Sequence, residues 1–295
     1  MAIFIDHNTR VVVQGIGSQG TFHAHRNQDY GTQIVGGVHP TKGGSTWEGL
    51  DVPVFATVKE AVAEGANTSM VMVPAPFTKD AILEAHDAGI ETIVAITEGA
   101  PVHDMTEVYD TVVRRGGTRL IGPNCPGLIS PGRCNVGIIP ADIPSPGNVG
   151  LVSRSGTLTY QIMHELAQAG IGISTCVGIG GDPVIGTQFL DVIQAFAADP
   201  ETNAIAFVGE IGGSEEQVAG QWIADNIPDT PVVGYIAGFE APPGKQMGHA
   251  GAIVKEGGPG GESAAEKKQI LGEMGIPVAI NPSEAAQLMI ERLQR

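Results

Sequence analysis

The fold is decided near the N-terminus by the stretch Arg10-Val11-Val12-Val13-Gln14-Gly15-Ile16-Gly17-Ser18-Gln19-Gly20-Thr21-Phe22. The valine-rich start predicts a buried strand, and the pattern Gly-x-Gly-x-x-Gly follows it and opens a helix. Glycines at these positions let the backbone approach a pyrophosphate, which then binds at the N-terminus of the helix. The stretch therefore predicts a Rossmann-like α/β domain whose first loop contacts phosphate through its backbone.

The loop after the second predicted strand bears on which nucleotide the domain binds. An NAD site places an Asp or Glu about 20 residues after the glycine loop, where it binds the ribose hydroxyl groups. Here the strand Gln33–Val38 runs into His39-Pro40-Thr41-Lys42-Gly43-Gly44, which contains a lysine and no acid. A phosphate on the ribose, as in CoA or NADP, suits Lys42 better than NAD does. A solvated surface lysine would give the same sequence.

The remainder of the chain repeats this alternation of strand and helix. Short β-branched runs alternate with helical patterns to the C-terminus, which is typical of parallel α/β sheets. Residues 122–148 interrupt the alternation, and their six prolines and many glycines predict a connection between domains. The 295 residues therefore predict two doubly wound α/β domains, a Rossmann-like one over 1–130 and a flavodoxin-like one over 131–295.

Composition excludes several classes of protein. The net charge is −16 and Lys and Arg do not cluster, so nucleic acid is not an expected partner. The apolar runs are too short to span a bilayer, and the N-terminus lacks the basic and apolar regions of a signal peptide. The three cysteines lack Cys-x-x-Cys spacing and predict neither disulfides nor a zinc site. We therefore expect a cytoplasmic protein without membrane contact and without a metal site of its own.

Ligands of open α/β sheets bind at the carboxyl ends of the strands, so the loops at those ends are candidate sites. In the second half, Ser153–Tyr160 places hydroxyl and backbone N–H groups at a helix start, which suits an anion but equally an ordinary N-cap. Gly178–Pro183 is too rich in glycine for a simple connection, and Gly209–Ser214 presents one carboxylate, Glu210, between flexible residues.

A fourth loop, Ala241–Ala252, contains the most informative single residue. His249 follows Gly248 and lies two residues before Gly251, so few neighbours explain it as a core residue. Histidine is the side chain best suited to act as a neutral nucleophile or proton carrier near pH 7. A metal site would need further ligands at suitable spacing, and no second histidine lies nearby.

Together these loops resemble the α subunits of succinyl-CoA synthetase (succinate–CoA ligase) over nearly the whole chain. Each motif alone is modest evidence, but so many in the same order are highly specific. The matching stretches are Val13–Gly15, Gly20–His23, Val35–Val38, Pro40, Lys42–Gly44, Val73–Ala75, Ile96–Gly99, Gly122–Gly127, Ser153–Tyr160, Val177–Pro183, Gly209–Gly213 and Met247–Ile253.

The resemblance implies a reaction in which a histidine is phosphorylated, the phosphoryl group passes to a dicarboxylate, and the thiol of CoA attacks the acyl phosphate. His249 would be the phosphoryl carrier, and Glu210 would hold its imidazole in the productive tautomer. The second domain would thus be a ligase domain. Its implied phosphate contacts are Ser153, Ser155, Gly156 and Thr157, and its implied acid-substrate contact is Tyr160.

The resemblance also implies that the first domain binds CoA and that the chain works with a partner. A β subunit with an ATP-grasp domain would bind ATP or GTP with Mg²⁺, and no P-loop motif is present here. The acid would be succinate or a related dicarboxylate. Cys125 would lie near the reactive thiol in a supporting role. The implied CoA contacts are Gly15, Gly17, Ser18, Gln19, Gly20, Pro40, Lys42, Val73, Pro74, Ile96, Thr97, Glu98, Asn124, Cys125 and Pro126.

Several positions depart from the family's usual pattern, among them His39 and Thr41 on either side of Pro40 and the stretch Lys255–Glu266. The first glycine loop lacks one residue, a threonine, so the loop that would hold CoA is shortened. Gln246 stands where a basic residue normally precedes Met-Gly-His, and Gln161 follows Tyr160 in place of the usual Glu. These changes leave the phosphohistidine chemistry intact. ATP versus GTP, succinate versus malate, and αβ versus α₂β₂ assembly stay open at this stage.

Two other functional classes fit parts of the sequence. An NADP-linked oxidoreductase would use the glycine loop and Lys42, but it would leave His249 and Glu210 without a role. A CoA-binding regulatory module without chemistry would need only one domain, whereas the alternation of strands and helices predicts two.

Overall fold

The computed structural model describes residues 2–254 and 261–294. The chain divides into two compact units. The first unit comprises Phe4–Ala141 and Val184–Thr187, and the second comprises Met1–Ile3, Asp142–Pro183 and Gln188–Arg295. Both units are α/β, as the alternation of strands and helices predicts.

The first unit is a Rossmann-type sheet with helices. Its strands are β1 (Arg10–Gln14), β2 (Gln33–Val38), β3 (Thr46–Trp47), β4 (Val52–Phe55), β5 (Thr68–Val71), β6 (Thr92–Ala95), β7 (Arg119–Ile121), β8 (Gly127–Ser130) and β9 (Cys134–Gly137). Its helices are α1 (Ser18–Asp29), α2 (Val58–Ala63), α3 (Thr78–Asp87) and α4 (Val102–Val108), the last continued by a π-helical turn, Tyr109–Val113. The sheet order is β3-β4-β2-β1-β5-β6-β7, with β3 antiparallel to β4. The parallel strands follow the Rossmann order 3-2-1-4-5-6, whose switch point lies between β1 and β5.

The second unit has flavodoxin-like topology, as predicted. Its strands are β10 (Pro146–Ser153), β11 (Ile173–Gly178), β12 (Ala204–Glu210), β13 (Val232–Ala237) and β14 (Val278–Ala279). Its helices are α5 (Gly156–Gln168), α6 (Phe189–Ala198), α7 (Glu215–Asn226), α8 (Ala264–Glu273) and α9 (Pro282–Leu293). These strands lie in the order β14-β13-β12-β10-β11, which is the 2-1-3-4-5 arrangement with its switch point between β10 and β12.

Burial on both faces of each sheet explains why the strands are continuous apolar runs. Every residue of β5, β6, β11 and β12 is buried. In the second unit, Phe207 of β12 packs edge-to-face against Phe189 of α6, with ring centroids 6.2 Å apart. Such pairs fix how a covering helix seats on the sheet.

The stretch 122–148, predicted as a connection, contains the buried hairpin β8–β9 instead, and the predicted boundary after residue 130 falls in its turn. The glycines that suggest a loop serve close strand approach. Gly127 has φ +90, and a Cβ there would overlap the carbonyl oxygen of Val136 on the opposing strand. The hydroxyl of Thr32 accepts from the N–H of Asn135 at 3.0 Å and donates to its carbonyl at 2.8 Å, so the hairpin is bound to the first unit.

Two glycines shape the loop between β1 and α1. Gly15 has φ +104, and a Cβ there would lie 2.6 Å from the carbonyl carbon of Met72, beyond the end of β5. A Cβ on Gly20 would overlap the carbonyl oxygen of Gly15, so the first turn of α1 packs directly on the loop. Gly17, at the N-cap of α1, has open space and an ordinary φ of −71.

We expect Gly20→Ala to destabilise the protein and Gly17→Ala to leave it nearly unchanged. Overpacking a close backbone contact costs about 1–3 kcal/mol, whereas an added methyl group in open space changes the free energy of unfolding by less than about 0.5 kcal/mol. Urea unfolding followed by circular dichroism measures both. Equal losses in the two variants would contradict the packing role assigned to Gly20.

Candidate functional site

The carboxyl ends of five parallel strands place the predicted CoA contacts at one edge of the first unit's sheet. The loops there follow β1, β2, β5, β6 and β7. They contain the residues Gly15–Gly20, Pro40 and Lys42, Val73 and Pro74, Ile96–Glu98, and Asn124–Pro126, in that order. The structure therefore brings together the fifteen positions that the sequence leaves scattered over more than a hundred residues.

Hydrogen bonds join neighbouring loops along this edge. The hydroxyl of Thr97 donates to the carbonyl of Val73 at 2.7 Å, and the N–H of Asn124 donates to the carbonyl of Thr97 at 2.9 Å. The thiol of Cys125 is buried and donates to the carbonyl of Ala95 at 3.2 Å. Thr97 and Cys125 thus tie the loops after β5, β6 and β7 to one another, and the role of Cys125 near CoA stays a prediction.

The N-terminus of α1 has features that favour an anion, although the glycine loop before it lacks one residue of the family pattern. Gly17 is the N-cap, no side chain caps the first turn, and that turn carries no acidic residue. The first N–H groups of the helix therefore lack an internal partner. Lys42 lies in the exposed loop after β2 and adds a positive charge at the same sheet edge.

In the second unit, the loops after β10 and β12 flank the topological switch point, where open α/β sheets bind ligands. Ser155 is the N-cap of α5 and accepts from the N–H of Leu158 at 3.4 Å. Ser153 is buried, and its hydroxyl donates to the carbonyl of Ser155 at 3.0 Å. Thr157 is exposed on the first turn. Ser153 thus holds the loop, while Gly156 and Thr157 present the start of the helix.

His249 and Glu210 form a short hydrogen bond. Glu210 ends β12, and its Oε2 lies 2.6 Å from Nδ1 of His249. The side chains are 22% and 9% exposed for His249 and Glu210, respectively. A carboxylate acceptor at Nδ1 favours the tautomer with the proton on Nδ1, so the lone pair of a neutral ring lies on Nε2. A Cβ on Gly181 would overlap that Nε2, so the glycine leaves room for the imidazole.

Arg154 is a charged neighbour to which the sequence assigned no role. Its Nε lies 3.6 Å from Oε1 of Glu210, and its Nη1 lies 3.1 Å from Oε2 of Glu215. Burial raises the pKa of Glu215, and Arg154 opposes that rise. The signal available in the sequence was one basic residue within a loop of hydroxyl groups and glycine.

The pKa of His249 is raised above its ordinary value. The hydrogen bond to Glu210 is the main cause, and the negative charges of Glu210 and Asp182 add to it. Burial and the positive charge of Arg154 act in the opposite direction. His249 therefore keeps its proton to higher pH than an exposed histidine does.

A cavity of about 290 Å³ joins these groups within the second unit. Its lining residues are Ser155, Leu158, Glu210, Ile211, Ala237, Gly238, Met247, Gly248, His249 and Ala252. The predicted phosphoryl carrier, its carboxylate partner and the N-cap of α5 thus share one cavity. Ser153, Gly156, Thr157 and Tyr160 are not among its lining residues.

Two family models match the chain, one in each half. A model of the CoA binding domain matches residues 6–99, and a model named CoA-ligase matches residues 152–274.

Curated relatives match over the whole chain. A succinate–CoA ligase [ADP-forming] subunit alpha 2 of Archaeoglobus fulgidus is 56% identical over 295 residues, covering 99% of this chain and 100% of the relative. The subunit alpha of the same ligase from Staphylococcus epidermidis is 53% identical, covering 100% and 96%. That of Staphylococcus aureus is 53% identical, covering 99% and 95%.

Solved structures share the fold at lower identity. ATP citrate lyase of Methanothrix soehngenii, in complex with citrate and coenzyme A, superposes with a TM-score of 0.86 at 24% identity. The match covers 99% of this chain but only 50% of the lyase chain. A dinucleotide-forming acetyl-coenzyme A synthetase of Ca. Korarchaeum cryptofilum gives a TM-score of 0.75 at 21% identity, covering 96% and 60%. Among the described residues, no helix has the length and apolar character required to cross a membrane.

We expect Glu210→Gln to lower the pKa of His249 toward the usual value of 6.5, because the hydrogen bond and the charge that raise it are weakened. An NMR titration of the imidazole measures this shift. The sign also sets the pH dependence of stability: the raised pKa means that the contact stabilises the fold fully below the pKa of an unfolded histidine, and less as pH rises through the folded pKa.

Glu291→Gln on α9 is the control for this titration, since it removes the same charge from an exposed position. It should leave the titration of His249 unchanged. An unaltered pKa in Glu210→Gln would show that Glu210 does not govern the protonation of His249.

Proposed function

Because this chain belongs to the family of succinate–CoA ligase α subunits, we propose that His249 carries the phosphoryl group in a reaction that joins a dicarboxylic acid to CoA. The observation that supports this most directly is the 2.6 Å hydrogen bond from Nδ1 of His249 to Glu210, in a cavity that the N-cap of α5 also lines. That bond directs the lone pair of the neutral ring to Nε2. Nε2 of His249 would then be the nucleophilic atom, and Glu210 would hold the proton on Nδ1.

The proposed chemistry has three transfers. The Nε2 lone pair attacks the terminal phosphorus of a nucleoside triphosphate, the P–O bond to the diphosphate breaks, and a P–N bond forms. The ring becomes positively charged, and Glu210 stabilises that charge through Nδ1–H. A carboxylate oxygen of the acid then takes the phosphoryl group from Nε2. Finally the sulfur of CoA attacks the acyl carbon, phosphate leaves, and the thiol proton departs with the phosphate.

The start of α5 supplies the proposed phosphate contacts. The helix has 13 residues, and its first turn carries no acidic residue. The dipole and the N–H groups of such a terminus stabilise an anion. Because the hydroxyl of Ser155 accepts from Leu158, the N–H groups of Gly156 and Thr157 remain available in this arrangement. Tyr160, on the same helix, is our proposed contact for the acid substrate.

The sheet edge of the first unit is the proposed CoA site. It presents the uncapped N-terminus of α1 and the exposed Lys42, which suit phosphate groups. The match of residues 6–99 to the CoA binding domain model supports this assignment. Glu98 and Pro40 are exposed at the edge, whereas Cys125 and Pro126 are buried behind it. Because no acid follows β2, the edge suits CoA better than NAD.

We propose a β subunit with an ATP-grasp domain as the partner that binds ATP or GTP with Mg²⁺. The relatives are named as α subunits of an ADP-forming ligase, which supports a heteromeric enzyme. Succinate is the proposed acid, consistent with those names and with a role in the tricarboxylic acid cycle. We also propose that the enzyme is cytoplasmic.

The first test is phosphorylation of the chain co-expressed with its partner subunit. With γ-³²P-labelled ATP or GTP, the wild-type chain should take up label that is stable to base and labile to acid. His249→Asn should abolish both the label and the formation of the CoA thioester. His164→Asn, which removes an exposed histidine from α5, is the control and should keep both. Undiminished label in His249→Asn would overturn the proposal.

The second test concerns CoA. Lys42→Gln should raise the KM for CoA about 3- to 10-fold, because an exposed charge contact with phosphate contributes about 1 kcal/mol. The kcat should stay unchanged, since the contact is the same in the ground state and the transition state. Lys59→Gln on α2 is the control for loss of an exposed charge. An unchanged KM in Lys42→Gln would remove Lys42 from the CoA site.

A further inference from the structure

A buried lysine lies directly behind the end of β12, where Glu210 stands. Lys267, in the first turns of α8, is 0% exposed. Its ammonium group donates to the carbonyl of Glu210 at 2.8 Å and to the carbonyl of Gly212 at 2.7 Å. It also donates to Oε2 of Glu216 at 2.5 Å. All three donors of the ammonium group are therefore used, and two of them hold the backbone after β12.

Glu216 completes the arrangement from α7. Its side chain is 2% exposed, and its Oε1 accepts from the N–H of Glu210 at 3.1 Å. One buried ion pair thus binds both backbone groups of Glu210, the N–H through Glu216 and the carbonyl through Lys267. Gly209 makes this approach possible, because a Cβ there would overlap Oε1 of Glu216.

The helices that supply the pair are themselves fixed. Ser263 caps α8, and its hydroxyl and backbone N–H pair reciprocally with Glu266. The amide of Gln217 on α7 donates to the carbonyl of Gly261 at 2.6 Å, next to the start of α8. Lys267 and Glu216 therefore project from two joined helix starts toward the same strand end.

Stability alone does not account for such a pair. Removing two charges from water costs about as much as their attraction returns, and well-packed apolar residues often serve a fold equally well. An ion pair with directional hydrogen bonds also fixes the position of the groups that it binds. Here those groups belong to the residue whose carboxylate contacts His249.

We propose that Lys267 and Glu216 are positioning residues, which place the carboxylate of Glu210 against Nδ1 of His249. The expected effect on turnover rests on the proposed function. The placement of Glu210 by Lys267 and Glu216 does not depend on that function. A glutamate at a strand end can place its carboxylate in several positions, because both its backbone and its side chain can move. With both backbone groups bound, only the side chain of Glu210 is left to rotate, and Arg154 contacts its second oxygen at 3.6 Å.

The test compares Glu216→Gln and Lys267→Met with a stability control. Glu216→Gln keeps the volume of the side chain but removes the charge that pairs with Lys267, so the buried ammonium group is left uncompensated and the contacts that hold the backbone of Glu210 are disturbed. Phe196→Leu, in the buried core of α6, is the control, since it lowers the Tm without contacting the loop. NMR titration of His249 in the full chain and steady-state kinetics of the chain with its co-expressed partner are the two readouts.

We expect the pKa of His249 to fall toward 6.5 in Glu216→Gln and Lys267→Met, because Glu210 no longer meets Nδ1 at 2.6 Å. The charges that face His249 directly, Glu210, Asp182 and Arg154, are unchanged in these variants. The kcat should fall about 10- to 100-fold, as a displacement of about 1 Å does at a reacting centre. The KM for CoA should stay the same.

The double variant Lys267→Met/Glu216→Gln distinguishes the effect of the ion pair on the position of Glu210 from its effect on the stability of the fold. Removing both charges should restore part of the lost Tm but neither the kcat nor the pKa of His249. A folded Glu216→Gln with wild-type pKa and kcat would overturn the inference, as would an equal loss of kcat in Phe196→Leu. If His249→Asn kept its label, the proposed function would fail, while the NMR titration would still decide whether the pair positions Glu210.

Discussion

The hydrogen bond between Glu210 and Nδ1 of His249 is the interaction on which the proposed chemistry of the second unit depends. A histidine has two ring nitrogens, and a nucleophile needs its lone pair on a defined one. Glu210 favours the proton on Nδ1, and in the proposed reaction it would also offset the positive charge that develops when Nε2 forms a bond. The flavodoxin-like strand order makes the contact possible, because the switch point between β10 and β12 opens where Glu210 and the start of α5 meet.

At the proposed phosphate sites, backbone N–H groups would bind anions although the chain as a whole is acidic. The net charge is −16, yet each proposed phosphate site lies at a helix N-terminus whose first turn carries no acid. Partial charges on N–H groups act over the first turn, whereas the net charge is screened beyond about 10 Å. Some of the 42 glycines contribute to these sites. Gly15 and Gly20 shape the loop before α1, and Gly181 leaves space for the imidazole of His249.

Local pattern predicted most of the architecture. The valine-rich start forms β1, a helix follows the glycine loop, and β2 has the predicted bounds Gln33–Val38, because apolar runs and turn residues carry that information. The short strands β3 and β4 were missed, since two to four residues give no periodicity. The pattern of residues 122–148 does not reveal the hairpin β8–β9, because its glycines permit close backbone contact and have the same signature as a loop.

In the candidate site, too, some residues can be predicted from the sequence and others cannot. Glu210 and His249 could be found because a charged or nucleophilic residue among glycines is unusual in sequence. Lys267 and Glu216 could not, because each stands in a helix beside other charged residues, where Lys and Glu are ordinarily solvated. Only the fold shows that their heads point inward, where two helix starts converge on one strand end. A residue that acts through backbone groups leaves no local pattern, since any sequence can supply an N–H and a carbonyl. The support of an active site is therefore harder to predict from sequence than the groups that react.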